Sequence, residues 1–173
     1  VSHLQKDGIR QQISCPHTPQ QNGLAERKHR HITELGLSMM FDSKMPLKYW
    51  VEAFFTATFL SNLLPTSSLP NNQVPYQKLF GKAVNYSFLR TFGCACYPSL
   101  RAYANNKFDP RSLKCVFLGY NDRYKGYRCI YPPTGRVYIT RHVLFEESDF
   151  PFEHAYKQSH PSVLTPLLKA WQM

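Results

Sequence analysis

The stretch His17-Thr18-Pro19-Gln20-Gln21-Asn22-Gly23-Leu24-Ala25-Glu26-Arg27-Lys28-His29-Arg30-His31-Ile32 is the most informative in the chain. Pro16, Pro19 and Asn22-Gly23 are turn formers, so the segment begins in a turn. A helix should follow, with Asn22 at its N-cap and Leu24, Ile32, Leu35 and Met39 as an apolar stripe. At about 100° per residue those four fall within one quadrant, while Glu26, Arg30 and Thr33 fall opposite. Lys28 intrudes on the apolar side. Glu26 lies in the first turn, where the helix dipole favours its ionised form and free backbone N–H groups attract phosphate. Arg27 to His31 are all basic or able to become so, and on a helix they spread around most of its circumference. The structural reading of this segment is a first-turn Glu with a solvated basic turn. The functional reading is a carboxylate beside phosphate-binding cations.

Outward from this segment, residues 1–16 read as an incomplete beginning, with alternating Ile9, Gln11, Ile13 and Cys15 suited to a strand over 9–15. A second helix is signalled by Pro46 near its first turn and Pro65 beyond its end. Its Leu47, Trp50, Val51, Phe54, Ala57 and Leu60 are so densely apolar that burial is expected. Residues 65–72 form a loop, and a short helical turn over 74–80 should stop at Gly81. From about Thr91 the texture changes to short β patterns at 91–98, 114–120, 126–131, 136–140 and 141–146. Pro132-Pro133-Thr134-Gly135 connects two of them as a hairpin. Such strands, rich in Tyr, Phe and Val, suit a small barrel. Residues 148–173, with Pro151, Pro161 and Pro166, read as linker or tail.

Composition sets the limits. The 173 residues include Lys+Arg 21 against Asp+Glu 11, a formal charge of +10, with 43% hydrophobic and 14% aromatic residues. That apolar content supports a packed core. Residues 1–86 carry nine Lys/Arg against five Asp/Glu, and residues 87–173 carry twelve against six. An excess in both halves points to a polyanionic partner such as nucleic acid. The longest apolar stretch, 49–64, is broken by Glu52, Thr56, Thr58, Ser61 and Asn62 and is shorter than the roughly 20 residues of a bilayer span. No membrane partner and no secretory leader are expected. The odd number of cysteines, Cys15, Cys94, Cys96, Cys115 and Cys129, reads as free thiols. Cys94 and Cys96 with Cys115 and Cys129 lack the usual zinc-knuckle spacing and are expected as small core residues. Tyr120, Tyr124, Tyr127 and Tyr131 near Arg123, Lys125 and Arg128 are either barrel packing or a base-stacking surface.

The string Pro19-Gln20-Gln21-Asn22-Gly23-Leu24-Ala25-Glu26 resembles the segment bearing the last acidic residue of retroviral and retrotransposon integrases. Pro46-Leu47-Lys48-Tyr49-Trp50-Val51-Glu52-Ala53, followed by Asn62 and Pro65, narrows the resemblance to copia-type elements. Leu89-Arg90-Thr91-Phe92-Gly93-Cys94, Lys107-Phe108-Asp109-Pro110-Arg111-Ser112 and Phe117-Leu118-Gly119-Tyr120 resemble the SH3-like module of their Pol polyproteins. Lys125-Gly126-Tyr127-Arg128 and Arg141-His142-Val143-Leu144-Phe145-Glu146-Glu147 continue it. The resemblance implies an α/β chain: the C-terminal part of a ribonuclease H-like integrase catalytic core at 1–82, a small SH3-like β-barrel at 83–147 and a linker at 148–173.

It implies further that Glu26 is the third of three acids holding two Mg²⁺ (or Mn²⁺) ions for phosphodiester attack. The other two acids of such a core lie upstream, and counting back from Glu26 passes Val1 before the nearer one is reached. Asp7 is too close, and Asp42, Asp109, Asp122 and Asp149 follow the start of the helix. The expectation is therefore a fragment without catalysis of its own, whose helical half lacks its partner strands. Arg27, Lys28 and Arg30 are candidate DNA-backbone contacts. The implied partners are DNA and the rest of the Pol polyprotein, including a downstream reverse transcriptase, with a homo-oligomer also allowed. The implied location is intracellular, in the nucleus or a cytoplasmic particle. The rival readings are a non-catalytic SH3-like module binding nucleic acid or protein, and an inactive relic of an element.

Overall fold

A helix pair, one member of which seats on an antiparallel sheet, defines the architecture. The computed structural model describes residues 2–6, 8–10, 15, 22–104, 106–121 and 125–153. The helices are α1 (Ser2–Lys6), α2 (Gly23–Asp42), α3 (Trp50–Leu63) and α4 (Pro75–Phe80). The strands are β1 (Ala95–Pro98), β2 (Cys115–Tyr120), β3 (Tyr127–Tyr131), β4 (Arg136–Thr140) and β5 (Val143–Glu146). The centre of the strand expected over 9–15 and the turn at Pro16 and Pro19 lie outside the described residues. Ile9 and Cys15 are exposed and belong to no strand.

Local chemistry accounts for the helix ends. Asn22 holds the N-cap position of α2, but its side chain makes no capping hydrogen bond. Ser43 closes α2: its backbone N–H and its hydroxyl both donate to the Met39 carbonyl, the latter at 2.6 Å. Pro75 starts α4 with its φ already set, and Gly81 ends it in the left-handed region at φ 66°, as expected.

The strand order is β4-β3-β2-β1-β5, every neighbour antiparallel. The last strand thus returns beside the first, and β4 curls back within reach of β1. Among the described residues no pairing joins β4 to β5, so the five-stranded ladder is open at that seam, and the sheet is consistent with the small barrel expected.

Alternation along the central strands gives the sheet two apolar faces. Val116, Leu118 and Ile130 face the helices and join Met40, Met45, Tyr49, Ala53 and Phe92 in one core. Cys115, Phe117 and Cys129 point the other way and meet Cys94, Cys96, Leu100 and Tyr138 in a second. Apolar packing therefore crosses the expected boundary at residue 82. It also continues past residue 147, because Phe152 joins the first core and Phe150 the second. The Asp149 carbonyl accepts from Ala95 N–H at 2.7 Å and its carboxylate pairs with Lys114. Residues 148–153 are thus integral to the fold and not a tail; the remainder of the expected tail lies outside the described residues.

The expected burial of α3 is corrected. Its buried residues are mostly small, Ala53, Thr56, Ala57 and Ser61, with Leu63 at its C-terminal end. Of the residues expected to be buried, Ala57 is buried and Phe54 and Leu60 are half-buried, while Trp50 is 53% exposed, Val51 is also exposed, and Leu47, just ahead of the helix, is 76% exposed. Two glycines explain how closely the helix seats. A Cβ on Gly36 of α2 would stand 2.1 Å from the Phe54 ring. A Cβ on Gly119 of β2 would stand 2.1 Å from the Thr56 hydroxyl, which donates to the Leu118 carbonyl at 3.4 Å. Large inward side chains would hold the helix off the sheet.

Gly119 also has φ 115°, which an L side chain resists. Gly119→Ala should therefore lower stability by about 2 kcal/mol or more, from overpacking and backbone strain together. The urea midpoint measures this, and an unchanged midpoint would refute the close seating of α3.

A second expectation concerns acid. Glu147 accepts from the Thr91 hydroxyl at 2.6 Å and the Thr91 N–H at 3.0 Å, with Arg90 at 3.8 Å. The Thr91 hydrogen bonds, chiefly the hydroxyl, and then Arg90 hold its carboxyl below the ordinary 4.5. A depressed carboxyl stabilises the fold above its unfolded value, and the contribution fades as pH falls from 4.5 through the lower folded value. Glu147→Gln should flatten the stability profile in that acid window. Thermal melts from pH 6 downward with the same slope for both proteins would refute it.

Candidate nucleic-acid interface

The first turns of α2 carry the residues singled out from sequence. Glu26 is the one acid of the first turn, and Glu26, Arg27, Lys28 and Arg30 are all exposed. At about 100° per residue, Glu26 and Arg30 lie about 40° apart and Arg27 about 60° from Arg30. These three share one outward sector. Lys28 lies about 160° from Glu26 and faces α3, where its ammonium donates to the Ser61 hydroxyl at 2.6 Å. That bond gives the intruding lysine of the apolar side its place. The cationic face aimed outward beside Glu26 is thus Arg27 and Arg30, with Lys28 drawn to the helix seam.

Farther along α2 the outward side turns apolar, with Phe41 73% exposed and Leu37 also exposed. The outward side of α3 and α4 is apolar as well. A groove of about 620 Å³ runs there, lined by Phe55, Phe59, Tyr76, Leu79, Phe80 and Tyr120 among others.

The residue set does not fit a two-metal site. Among the described residues no three of His, Cys, Asp and Glu converge so as to hold a metal ion. Glu26 alone supplies too few oxygen ligands to hold two divalent ions. The thiols are equally unsuited. Burial pushes Cys94 and Cys115 up to about 12, and the hydrogen bond with Cys129, then burial, pushes Cys96 higher. Among the described residues the buried thiols form no group able to hold a metal ion.

The tyrosine-rich surface resolves toward packing. Tyr120 lies 4.5 Å from the Phe59 ring, its oxygen accepts from Arg90 N–H at 2.9 Å, and burial pushes its hydroxyl up to about 12. Tyr127 donates to the Phe88 carbonyl at 3.0 Å and stacks edge-on against Phe145. Tyr131 packs on the second core, and Arg128 pairs with Glu52 at 3.6 Å. Arg123 and Tyr124 lie outside the described residues.

One cationic grouping escaped the sequence reading. Arg101, Lys107 and Arg111 line a single hollow because the Leu100 N–H donates to the Arg111 carbonyl at 2.9 Å, closing the loop at its base. The run Lys107-Phe108-Asp109-Pro110-Arg111-Ser112 carried half of that signal; Arg101 joins it only through the fold.

Comparison with known proteins adds descent to this geometry. Residues 94–159 match the retroviral polymerase SH3-like domain. The chain is 49% identical over 150 residues to the Retrovirus-related Pol polyprotein from transposon RE2 of Arabidopsis thaliana, covering 87% of this chain and 10% of that protein. To the corresponding polyprotein from transposon RE1 it is 49% identical over 152 residues, 88% of this chain and 10% of the relative. To that from transposon TNT 1-94 of Nicotiana tabacum it is 39% identical over 142 residues, 82% and 11%. The chain thus spans about a tenth of the length of the curated relatives it matches. No solved structure matches it.

Lys28 and Ser61 should behave as a coupled pair. Lys28→Ala and Ser61→Ala should each lower stability by about 0.5–1 kcal/mol, reduced by the exposure of Lys28. The double variant should lose no more than the larger single loss. Additive losses in urea denaturation would show that the bond does not hold α2 to α3.

Proposed function

The chain belongs to the Pol polyproteins of copia-type retrotransposons, and on that premise we propose that it is the DNA-contacting C-terminal portion of an integrase. In this reading the helical layer, residues 1–82, is the end of a ribonuclease H-like core, and the sheet is the SH3-like module that follows it. The observation that carries the proposal is the outward sector of α2. There Arg27 and Arg30 stand beside Glu26 near a helix start, a place in a fold suited to a phosphate backbone. The formal charge of +10 supports the same partner.

Catalysis is assigned to the longer protein. Glu26 is the acid this chain would contribute to a divalent-metal site, with the remaining carboxylates supplied from outside it. Within the chain, Arg27 and Arg30 hold the DNA backbone by charge. Such contacts position a duplex without reading its sequence. The chain alone therefore binds DNA of any sequence and neither cuts nor joins it.

Arg27→Ala with Arg30→Ala should weaken binding to a 20-base-pair duplex. It should also lower the slope of log affinity against log salt by about two, near 0.9 per lost phosphate contact. Fluorescence anisotropy across a sodium chloride series reads both. An unchanged slope would refute the assignment. In a longer polypeptide that includes upstream acids, Glu26→Gln should abolish strand joining while leaving duplex affinity nearly intact. Strand joining at the original rate would remove Glu26 from the metal site.

A further inference from the structure

The loop between β1 and β2 carries a cationic hollow that the α2 interface does not account for. Its base is closed by the bond from Leu100 N–H to the Arg111 carbonyl at 2.9 Å, with Leu100 buried in the second core. That bond sets Arg101 and Arg111 beside each other on the rim. Inside the loop, Asp109 N–H donates to the Asn106 carbonyl at 3.1 Å, and the Asp109 carboxylate accepts from Asn106 N–H at 3.0 Å. Lys107, within this reciprocal turn, lines the same space, its ammonium 5.1 Å from the Phe108 ring. The result is a hollow of about 240 Å³ lined by Arg101, Lys107 and Arg111, with Asp109 as its one acid. Three cations against one carboxylate leave a local charge of +2. Among the described residues, none of the three cations takes part in an ion pair.

Next to it lies a second hollow, of about 170 Å³, and the two share Ala104 and Asp109. Tyr103, Tyr138 and Arg136 line this one. The Arg136 guanidinium sits 5.1 Å from the Tyr138 ring and 5.9 Å from the Tyr103 ring. Tyr103 is fixed in place, its hydroxyl bonded to both the N–H and the carbonyl of Ile139 at 3.0 Å. A guanidinium held over aromatic rings and exposed on its far side is a stacking platform for a base.

A cationic hollow adjoining a stacking platform matches the repeating unit of a single strand, one phosphodiester and one unpaired base. A duplex would offer the phosphate but hide the base face. We infer that the hollow of Arg101, Lys107 and Arg111, with the Arg136 platform beside it, binds single-stranded nucleic acid through its backbone phosphate and one splayed base. The site is separate from α2, and the inference does not rest on the function proposed for that helix.

The test uses the full chain and a fluorescent 12-nucleotide oligothymidine, with anisotropy read from 50 to 300 mM sodium chloride. Arg101→Gln with Arg111→Gln keeps most of each side-chain stem while removing both charges. It should lower affinity about tenfold at 0.1 M salt and reduce the salt slope by about 1.4, near 0.7 per cation on a single strand. Arg101→Lys with Arg111→Lys keeps the charge and should keep the slope. Lys78→Gln with Lys82→Gln, exposed on and just after α4, should change affinity less than threefold. Far-ultraviolet circular dichroism checks that each variant is folded. An unaffected Gln pair, or an equal loss from the Lys78 and Lys82 pair, would overturn the site. A 12-base-pair duplex that binds more tightly than oligothymidine, and loses affinity equally with the Gln pair, would overturn the single-strand assignment. Failure here with the Arg27 and Arg30 result intact would remove this site and leave the α2 interface standing.

Discussion

The seating of α3 on β2 is the contact on which the rest of the structure depends. Ala53, Thr56 and Ala57 present almost no bulk to the sheet, and Gly119 answers with no side chain at all. Helix and strand therefore approach until the Thr56 hydroxyl reaches the Leu118 carbonyl. That approach lets Met40, Met45 and Tyr49 reach Val116, Leu118 and Ile130, so one core serves both layers. Gly36 repeats the device between α2 and α3, where the Phe54 ring lies against the glycine. The first turns of α2, with Glu26, Arg27 and Arg30, are thereby fixed relative to the sheet that carries Arg101 and Arg111.

Much of this was legible in the sequence, and the failures have physical causes. Short runs rich in Tyr, Phe and Val, bounded by turn formers, located the five strands of the described residues, with 136–140 matching β4 at both ends. Gly81 was legible as a helix stop because no other residue adopts φ 66° so readily. The orientation of α3 was not legible. Leu47, Trp50 and Val51 suggested burial as part of a densely apolar run, whereas the fold fills most of the inward face with small residues. Residues 148–153 were misread because Phe150 and Phe152 enter two different cores, a non-local event that local periodicity cannot register.

The candidate interfaces divide the same way. Arg27 and Arg30 were visible as a basic run at a helix start, and their separation from Lys28 follows from helical geometry once Ser61 is known to receive the lysine. Tyr120 and Tyr127 carried an aromatic-basic signal that the fold spends on packing against Phe59, Phe117 and Phe145. Arg101 and Arg111 stand ten positions apart and become neighbours only through one backbone hydrogen bond. Both cationic groupings are thus attached to elements of one shared core.

Native-state hydrogen exchange tests that shared core most directly. If α3 and β2 form one cooperative unit, the amides of Ala57 and Ser61 in α3 should exchange with the same opening free energy as those of Val116 and Leu118 in β2. All four should shift together with denaturant. Protection in β2 that persists while α3 exchanges at markedly lower free energy would contradict the account. The helical layer would then be an independent cover, not half of the core.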